Sequence, residues 1–222
     1  MNSRKLARIA LKKGATQKIT ELSPLLSLLK KRKLRTVVEI GTSKGGMLYA
    51  LCKIAQPDSI IISIDLPGGP FGGGYTLKDI KKFRRYKKKK QKIYFLRKDS
   101  HKQATKKELM KKLNGRKIDF LMIDGDHSYT GVRKDWQLYS PLVKQNGLVA
   151  FHDILFHPKV PKCKVEKFWK EIKTNYKHAT FIDRGNDCGW GQWGGIGIIY
   201  PVRRAKACLS ADRSSNGVYY SN

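Results

Sequence analysis

Thr36-Val37-Val38-Glu39-Ile40-Gly41-Thr42-Ser43-Lys44-Gly45-Gly46 is a β-branched run that breaks into a glycine loop. The first five residues read as a buried strand, and Met47 to Ala55 beyond the loop reads as a helix. Glycines between a strand and a helix let the backbone turn tightly and approach a ligand closely. The spacing departs from G-x-G-x-x-G, which counts against a nicotinamide dinucleotide. Ile60-Ile-Ile-Ser-Ile64 is a second buried strand, and it ends in Asp65, 24 residues after Gly41. A carboxylate there can accept both hydroxyls of an adenosyl ribose, so the pair points to a nucleoside-containing ligand.

Working outward, strands and helices alternate. Ile93 to Leu96, Ile118 to Ile123 and Leu148 to Phe151 read as strands. Helices are expected over Leu77 to Lys89, Gln103 to Leu113, Tyr129 to Val143 and Val165 to Tyr176, and late strands near Thr180–Ile182 and Gly195–Pro201. Upstream, Ile19, Leu22, Leu25, Leu26 and Leu29 recur at helical spacing, with Pro24 set to distort the first turn or delay the start to Ser23. The pattern defines an α/β fold: a Rossmann-like, mostly parallel seven-stranded sheet with helices on both faces. Residues 1–16 form a basic segment with little periodic pattern, 17–202 the domain, and 203–222 a loose tail.

Polar residues gather just after strand C-termini: Gly41, Asp65, Asp99-Ser100, Asp124 and His152-Asp153. In open α/β sheets that edge is where ligands bind. The loop Pro67 to Tyr75 holds five glycines and reads either as a lid over the site or as a plain connection. Trp190 to Trp193 with Gly191, Gly194 and Gly195 line an acceptor pocket or pack beside a turn.

Composition bounds the rest. The chain of 222 residues is 40% hydrophobic, enough for one core. No apolar run reaches the roughly 18 residues of a membrane span, and the N-terminus lacks a secretory core, so a cytoplasmic protein is expected. Cys52, Cys163, Cys188 and Cys208 contain no C-x-x-C pair, which counts against a structural zinc site or a disulfide framework. Net charge is +30, and Lys78 to Lys117 alone holds 19 basic residues against three acids. Such a segment attracts phosphate backbones, anionic membrane or acidic substrates, or is simply a solvated face.

The successive motifs Glu39-Ile-Gly41 with Gly45-Gly46, Asp65, Asp99-Ser100 and Asp124 resemble those of class I S-adenosylmethionine-dependent methyltransferases. Ile64-Asp-Leu-Pro-Gly-Gly-Pro-Phe-Gly-Gly-Gly-Tyr75, Ile123-Asp-Gly-Asp-His-Ser-Tyr129 and Phe151-His-Asp-Ile154 resemble, more narrowly, the cephalosporin hydroxylase-like methyltransferases. That group is related to macrolide, aminocoumarin and catechol O-methyltransferases. The resemblance spans roughly residues 17–200. It implies that Glu39, Gly41 and Gly45 shape the loop around the methionine part of S-adenosylmethionine, that Ser43 joins the cofactor-binding residues, that Asp65 holds the ribose, and that Asp99 and Ser100 meet the adenine.

It also implies a divalent metal, magnesium or manganese, at Asp124, His152 and Asp153. His152 departs from the pattern, because many relatives carry an acid or amide there and magnesium prefers oxygen ligands. An imidazole tilts the choice towards manganese, iron or zinc, or turns away and leaves the metal weak. His127 and Asp126 are candidate general bases. The leading expectation is O-methylation of a small hydroxylated, sugar- or glycan-like acceptor, with or without metal. A nucleic-acid methyltransferase using the basic 78–117 surface and a non-catalytic nucleotide-binding protein of the same fold are the alternatives. An NAD-dependent dehydrogenase fits the glycine spacing and Glu39 poorly.

Overall fold

The computed structural model describes residues 1–183, 185 and 192–203. Its strands are β1 (Thr36–Ile40), β2 (Ile60–Asp65), β3 (Lys92–Arg97), β4 (Ile118–Ile123), β5 (Val143–Leu155), β6 (Tyr176–Phe181) and β7 (Gly194–Arg203). They form one sheet in the order β3-β2-β1-β4-β5-β7-β6. The first five pair in parallel, and β7 enters antiparallel to β5 and to β6. This is the seven-stranded, mostly parallel sheet expected, closed at one end by an antiparallel hairpin.

Among the described residues seven α-helices surround it: α1 (Ser3–Lys12), α2 (Ile19–Lys30), α3 (Gly46–Ile54), α4 (Leu77–Phe83), α5 (Gln103–Leu113), α6 (Tyr129–Tyr139) and α7 (Val165–Ile172). Side chains alternate across the pleat, so Val37, Phe120, Met122 and Leu148 share one core with α1, α2 and α3. Val38, Leu121, Ile123 and Val149 share the other with α5, α6 and α7. Strands buried on both faces explain the continuous apolar runs.

Several boundaries differ from the sequence reading. Residues 1–16 are not a patternless basic segment. Asn2 caps α1 by accepting from the Lys5 amide at 2.8 Å, and Leu6, Ala7 and Ala10 are buried. A stripe of three apolar positions, two of them alanine, is too thin to stand out among arginines and lysines. Helix α2 starts at Ile19 with Pro24 inside, stabilised at its start by Glu21 Oε2, which accepts from the Lys18 amide at 3.0 Å. The basic helix stops at Phe83, and one 3₁₀ turn follows to Tyr86. Spacing Phe83 and Tyr86 by one 3₁₀ turn buries both rings against the first core. Strand β5 runs well beyond both ends of Leu148–Phe151, since β4 and β7 flank it. Trp190, Gly191, Cys188, Cys208 and residues 204–222 lie outside the described residues. Among the described residues no helix is long and apolar enough to cross a membrane.

Candidate active site

Chain order β1, β2, β3 runs outward on one side of the sheet and then returns to β4 on the other side of β1. The crevice beyond the C-termini of β1 and β4 is therefore the topological switch point. There the structure opens a cavity of about 600 Å³, walled by the Gly41–Ser43 loop, Asp65, Lys98–His101, Asp124–His127, His152-Asp153 and the glycine loop Gly69–Gly74.

Gly41 makes the crevice possible. Its φ is +85°, and a Cβ there would stand 1.9 Å from the Asp124 carbonyl oxygen. The two strand ends are pinned by the Asp124 amide donating to the Ile40 carbonyl at 2.8 Å. Asp65 then holds the loop: its Oδ2 accepts from the amides of Thr42 at 2.9 Å and Ser43 at 2.6 Å. Burial raises the Asp65 pKa, and those amides oppose the rise.

Glu39 and Gly45 stand behind the cavity wall. Glu39 is fully buried; its Oε2 accepts from Thr42 Oγ1 at 2.5 Å, and Thr42 Oγ1 lies 2.7 Å from Ser63 Oγ. Burial pushes the Glu39 carboxyl up to about 8, against the Thr42 hydrogen bond, and so favours its protonated form near neutral pH. A Cβ on Gly45 would meet the Phe83 ring at 2.4 Å, so this glycine serves packing. Gly41, Ser43, Asp65, Asp99 and Ser100 do reach the cavity. Asp99 Oδ1 accepts from the His101 amide at 2.8 Å, and the Ser100 carbonyl accepts from Tyr139 Oη.

The opposite wall concentrates charge. Neighbouring residues of a regular strand face opposite sides, yet His152 Nδ1 and Asp153 Oδ1 lie 3.4 Å apart. A register shift in the β5–β7 pairing between His152 and Leu155, with Asp153 at φ +59°, turns both side chains to one site. His152 Nδ1 is also 3.3 Å from Asp124 Oδ1. His127 Nδ1 bonds Asp153 Oδ2 at 2.7 Å, and its Nε2 lies 3.6 Å from Asp124 Oδ1. Burial opposes charging His127, but the bonds to Asp153 and Cys163 and the charge of Asp124 outweigh it and hold the imidazole up to about 10. His152 is likewise raised, against burial, by Asp153 and Asp124. Burial would raise Asp153, yet the two imidazoles hold it far below the usual carboxylate range. Asp126 lines the cavity, but its Oδ1 accepts from the Ser128 amide at 2.9 Å, which ties it to the turn entering α6.

Donor atoms of Asp124, His152 and Asp153 lie within 4.8 Å of one another. Both ring nitrogens of buried His152 lack a hydrogen bond. A buried imidazole that makes no hydrogen bond yet stands beside two carboxylates suits a divalent cation, so the residues present fit one.

The sequence reading missed four contributors. Gln17 Nε2 donates to Asp124 Oδ2 at 2.8 Å. Glu21 is fully buried, accepts from the Gly195 amide at 2.9 Å and lies 3.6 Å from His152 Nε2. A carboxylate one turn before Leu25, on the buried stripe of α2, was the available signal. Cys163 is buried with Sγ 3.9 Å from Asp153 Oδ2, and Phe71 stacks on His127 at 5.0 Å. Lys162 Nζ donates to the Pro70 carbonyl at 2.6 Å, so the glycine loop lies over this wall and meets the 156–164 loop. Trp193 also lines the cavity.

This architecture, a switch-point cavity between a glycine loop and an acid–histidine wall, has a family. A methyltransferase-domain profile matches residues 38–154, just over half of the chain. The chain belongs to this family of methyltransferase domains. No curated protein matches the sequence. Among solved structures the fold is similar to the O-methyltransferase TomG from Streptomyces achromogenes, involved in tomaymycin synthesis and seen with SAM. The two are 13% identical over 90% of this chain and 89% of that one, with a TM-score of 0.56. An O-methyltransferase from Bacillus cereus in complex with SAH is 14% identical over 89% of each chain, with a TM-score of 0.55. MycE, a methyltransferase of the mycinamycin biosynthetic pathway seen with Mg and SAH, is 13% identical over 90% of this chain and 54% of that chain, with a TM-score of 0.57.

Proposed function

We propose that this chain transfers the methyl group of S-adenosylmethionine to a hydroxyl oxygen of a small, sugar- or glycan-like acceptor. One observation supports this most. A single cavity of about 600 Å³ joins the Gly41–Ser43 loop and Asp65 on one side to Asp124, His127, His152 and Asp153 on the other. That volume lies within the roughly 300–1,000 Å³ of cofactor and small-molecule sites. The O-methyltransferase neighbours favour oxygen as the accepting atom.

S-adenosylmethionine, when bound, supplies a methyl activated by its sulfonium charge, so the protein's task is alignment and deprotonation. Asp65 receives the ribose while holding the loop, and Asp99 with Ser100 receives the adenine. Asp124, His152 and Asp153 would hold a divalent cation, magnesium or manganese, which would lower the pKa of an acceptor hydroxyl and would offset the negative charge that keeps His127 protonated. His127, aligned by Asp153, takes the acceptor proton. Asp126 orders the turn that carries His127. The unpaired thiols of Cys52 and Cys163 suit a cytoplasmic setting.

Calorimetric titration with S-adenosylhomocysteine, with and without EDTA, is the direct test. Micromolar binding followed by methyl transfer to a hydroxylated small molecule is the expected result. Folded protein that binds neither S-adenosylhomocysteine nor S-adenosylmethionine would refute it. A nucleic-acid acceptor is the second reading, favoured by one observation: the basic segment Lys78 to Lys117 supplies Lys98 to the cavity wall.

A further inference from the structure

Asp153 presents its two oxygens to two different donor sets. Oδ1 lies beside His152, whereas Oδ2 lies 2.7 Å from His127 Nδ1 and 3.9 Å from Cys163 Sγ. The donor atoms of His127, Asp153 and Cys163 all fall within 4.8 Å of one another, a second group distinct from Asp124, His152 and Asp153. We infer that His127 Nδ1, Asp153 Oδ2 and Cys163 Sγ form a second cation site that takes a thiophilic ion of the zinc class.

Local structure builds this site. The Lys164 amide donates to the His127 carbonyl at 2.7 Å and the Cys163 amide to the Val160 carbonyl at 2.9 Å. These two bonds seat the 156–164 loop on the His127 turn and bring the thiol to the imidazole. The left-handed Asp153 fixes the third donor. Cys163 is buried and in no disulfide.

Donor chemistry selects the ion. One nitrogen, one sulfur and one oxygen match zinc, whose bonds to such atoms run about 2.0–2.3 Å, and disfavour magnesium, which prefers oxygen and does not take thiolate. For bonds of about 2.0–2.3 Å in a tetrahedral arrangement, the pair now 2.7 Å apart must open to about 3.3 Å to admit an ion in place of its shared proton, and the thiol now 3.9 Å from Asp153 Oδ2 must close to about 3.5 Å. Binding therefore releases the thiol proton and the proton on His127 Nδ1. All three residues line the cavity, so an ion held by them would be within reach of it. An ion seated there fixes His127 and takes Asp153 Oδ2, which stops the proton transfer proposed above and makes zinc an inhibitor. The site itself stands whether or not the cavity accepts a sulfonium cofactor.

The experiment is titration of the metal-free full chain with cobalt(II), followed by zinc competition, on wild type, Cys163→Ser and Asp124→Asn. Cobalt should produce a thiolate charge-transfer band in the near ultraviolet that one equivalent of zinc abolishes and millimolar magnesium does not. Cys163→Ser, folded by circular dichroism, should lose the band. Its zinc affinity should fall by more than the roughly 10–100-fold that losing an outer-shell partner costs. Asp124→Asn should keep the band. A wild-type titration without the band overturns the site, as does a Cys163→Ser protein that retains the band or binds zinc like wild type. The wild-type spectrum decides even where the serine variant does not fold.

Discussion

Replacing Glu39 by glutamine should change how stability depends on pH. Glu39 is fully buried, with Oε2 bonded to Thr42 and Oε1 without a hydrogen-bond partner. Burial raises its carboxyl from 4.5 to about 8 in the folded protein. A raised acid binds an extra proton in the folded state between those two values. Stability is therefore complete below the unfolded value and falls as pH rises towards the folded one. The slope is about 1.4 kcal/mol per pH unit, so going from pH 5 to pH 8 costs on the order of 3 kcal/mol through this group alone. Glutamine keeps the shape and has no proton to lose. His127 and His152 also titrate, but they do so in both proteins and cancel in the difference. Urea unfolding of wild type and Glu39→Gln at pH 5, 6.5 and 8 reads the effect directly. The two proteins should be nearly equal at pH 5, and the variant more stable by on the order of 3 kcal/mol at pH 8. Parallel pH profiles would refute the buried, neutral carboxyl.

Gly41→Ala places a Cβ 1.9 Å from the Asp124 carbonyl at a φ of +85°, and should lower stability by about 3 kcal/mol in the same urea assay. An unchanged midpoint would show that the two strand ends are not locked together. Asp65→Ala removes the acceptor for two loop amides and the proposed ribose contact, so S-adenosylhomocysteine affinity should drop at least tenfold, roughly 1.4 kcal/mol, by calorimetry. Asp124→Ala should instead depress turnover with cofactor affinity nearly unchanged. His127→Gln should lower kcat by roughly 10²–10⁴ while leaving cofactor binding within twofold; an intact kcat would remove it as the base. Binding of a random RNA should weaken steeply between 50 and 200 mM salt if the Lys78 to Lys117 segment contacts several phosphates, and a flat response would discard the nucleic-acid reading.

The features legible in the sequence are those imposed by local backbone needs. The β1 run, the Gly41 turn and the carboxylate ending β2 each follow from what a strand, a tight turn or a strand end requires of one or two neighbouring residues. Glu39 was legible as a member of the motif, but not its place behind the wall, because burial depends on which helix packs over it. His152 and Asp153 could be picked out, yet their convergence depends on a bulge against β7, some forty residues away in the chain. Gln17, Glu21 and Cys163 reach the site from other elements through tertiary packing alone. Helix α1 was hidden because alanine gives little hydrophobic contrast within a run of lysines and arginines.

Among the described residues strand β3 ends the sheet, and no strand of theirs pairs with its outer side. An open edge invites a second sheet to add itself, which is how soluble proteins begin to aggregate. Here the strand starts at Lys92, ends at Arg97, and sits within a segment of net charge +16, from 19 basic and three acidic residues. Two copies approaching edge to edge must press those fields together, so the charge acts as a guard against self-association. A polyanion that neutralised it would remove that guard, tying the colloidal behaviour of the protein to whatever acidic polymer surrounds it.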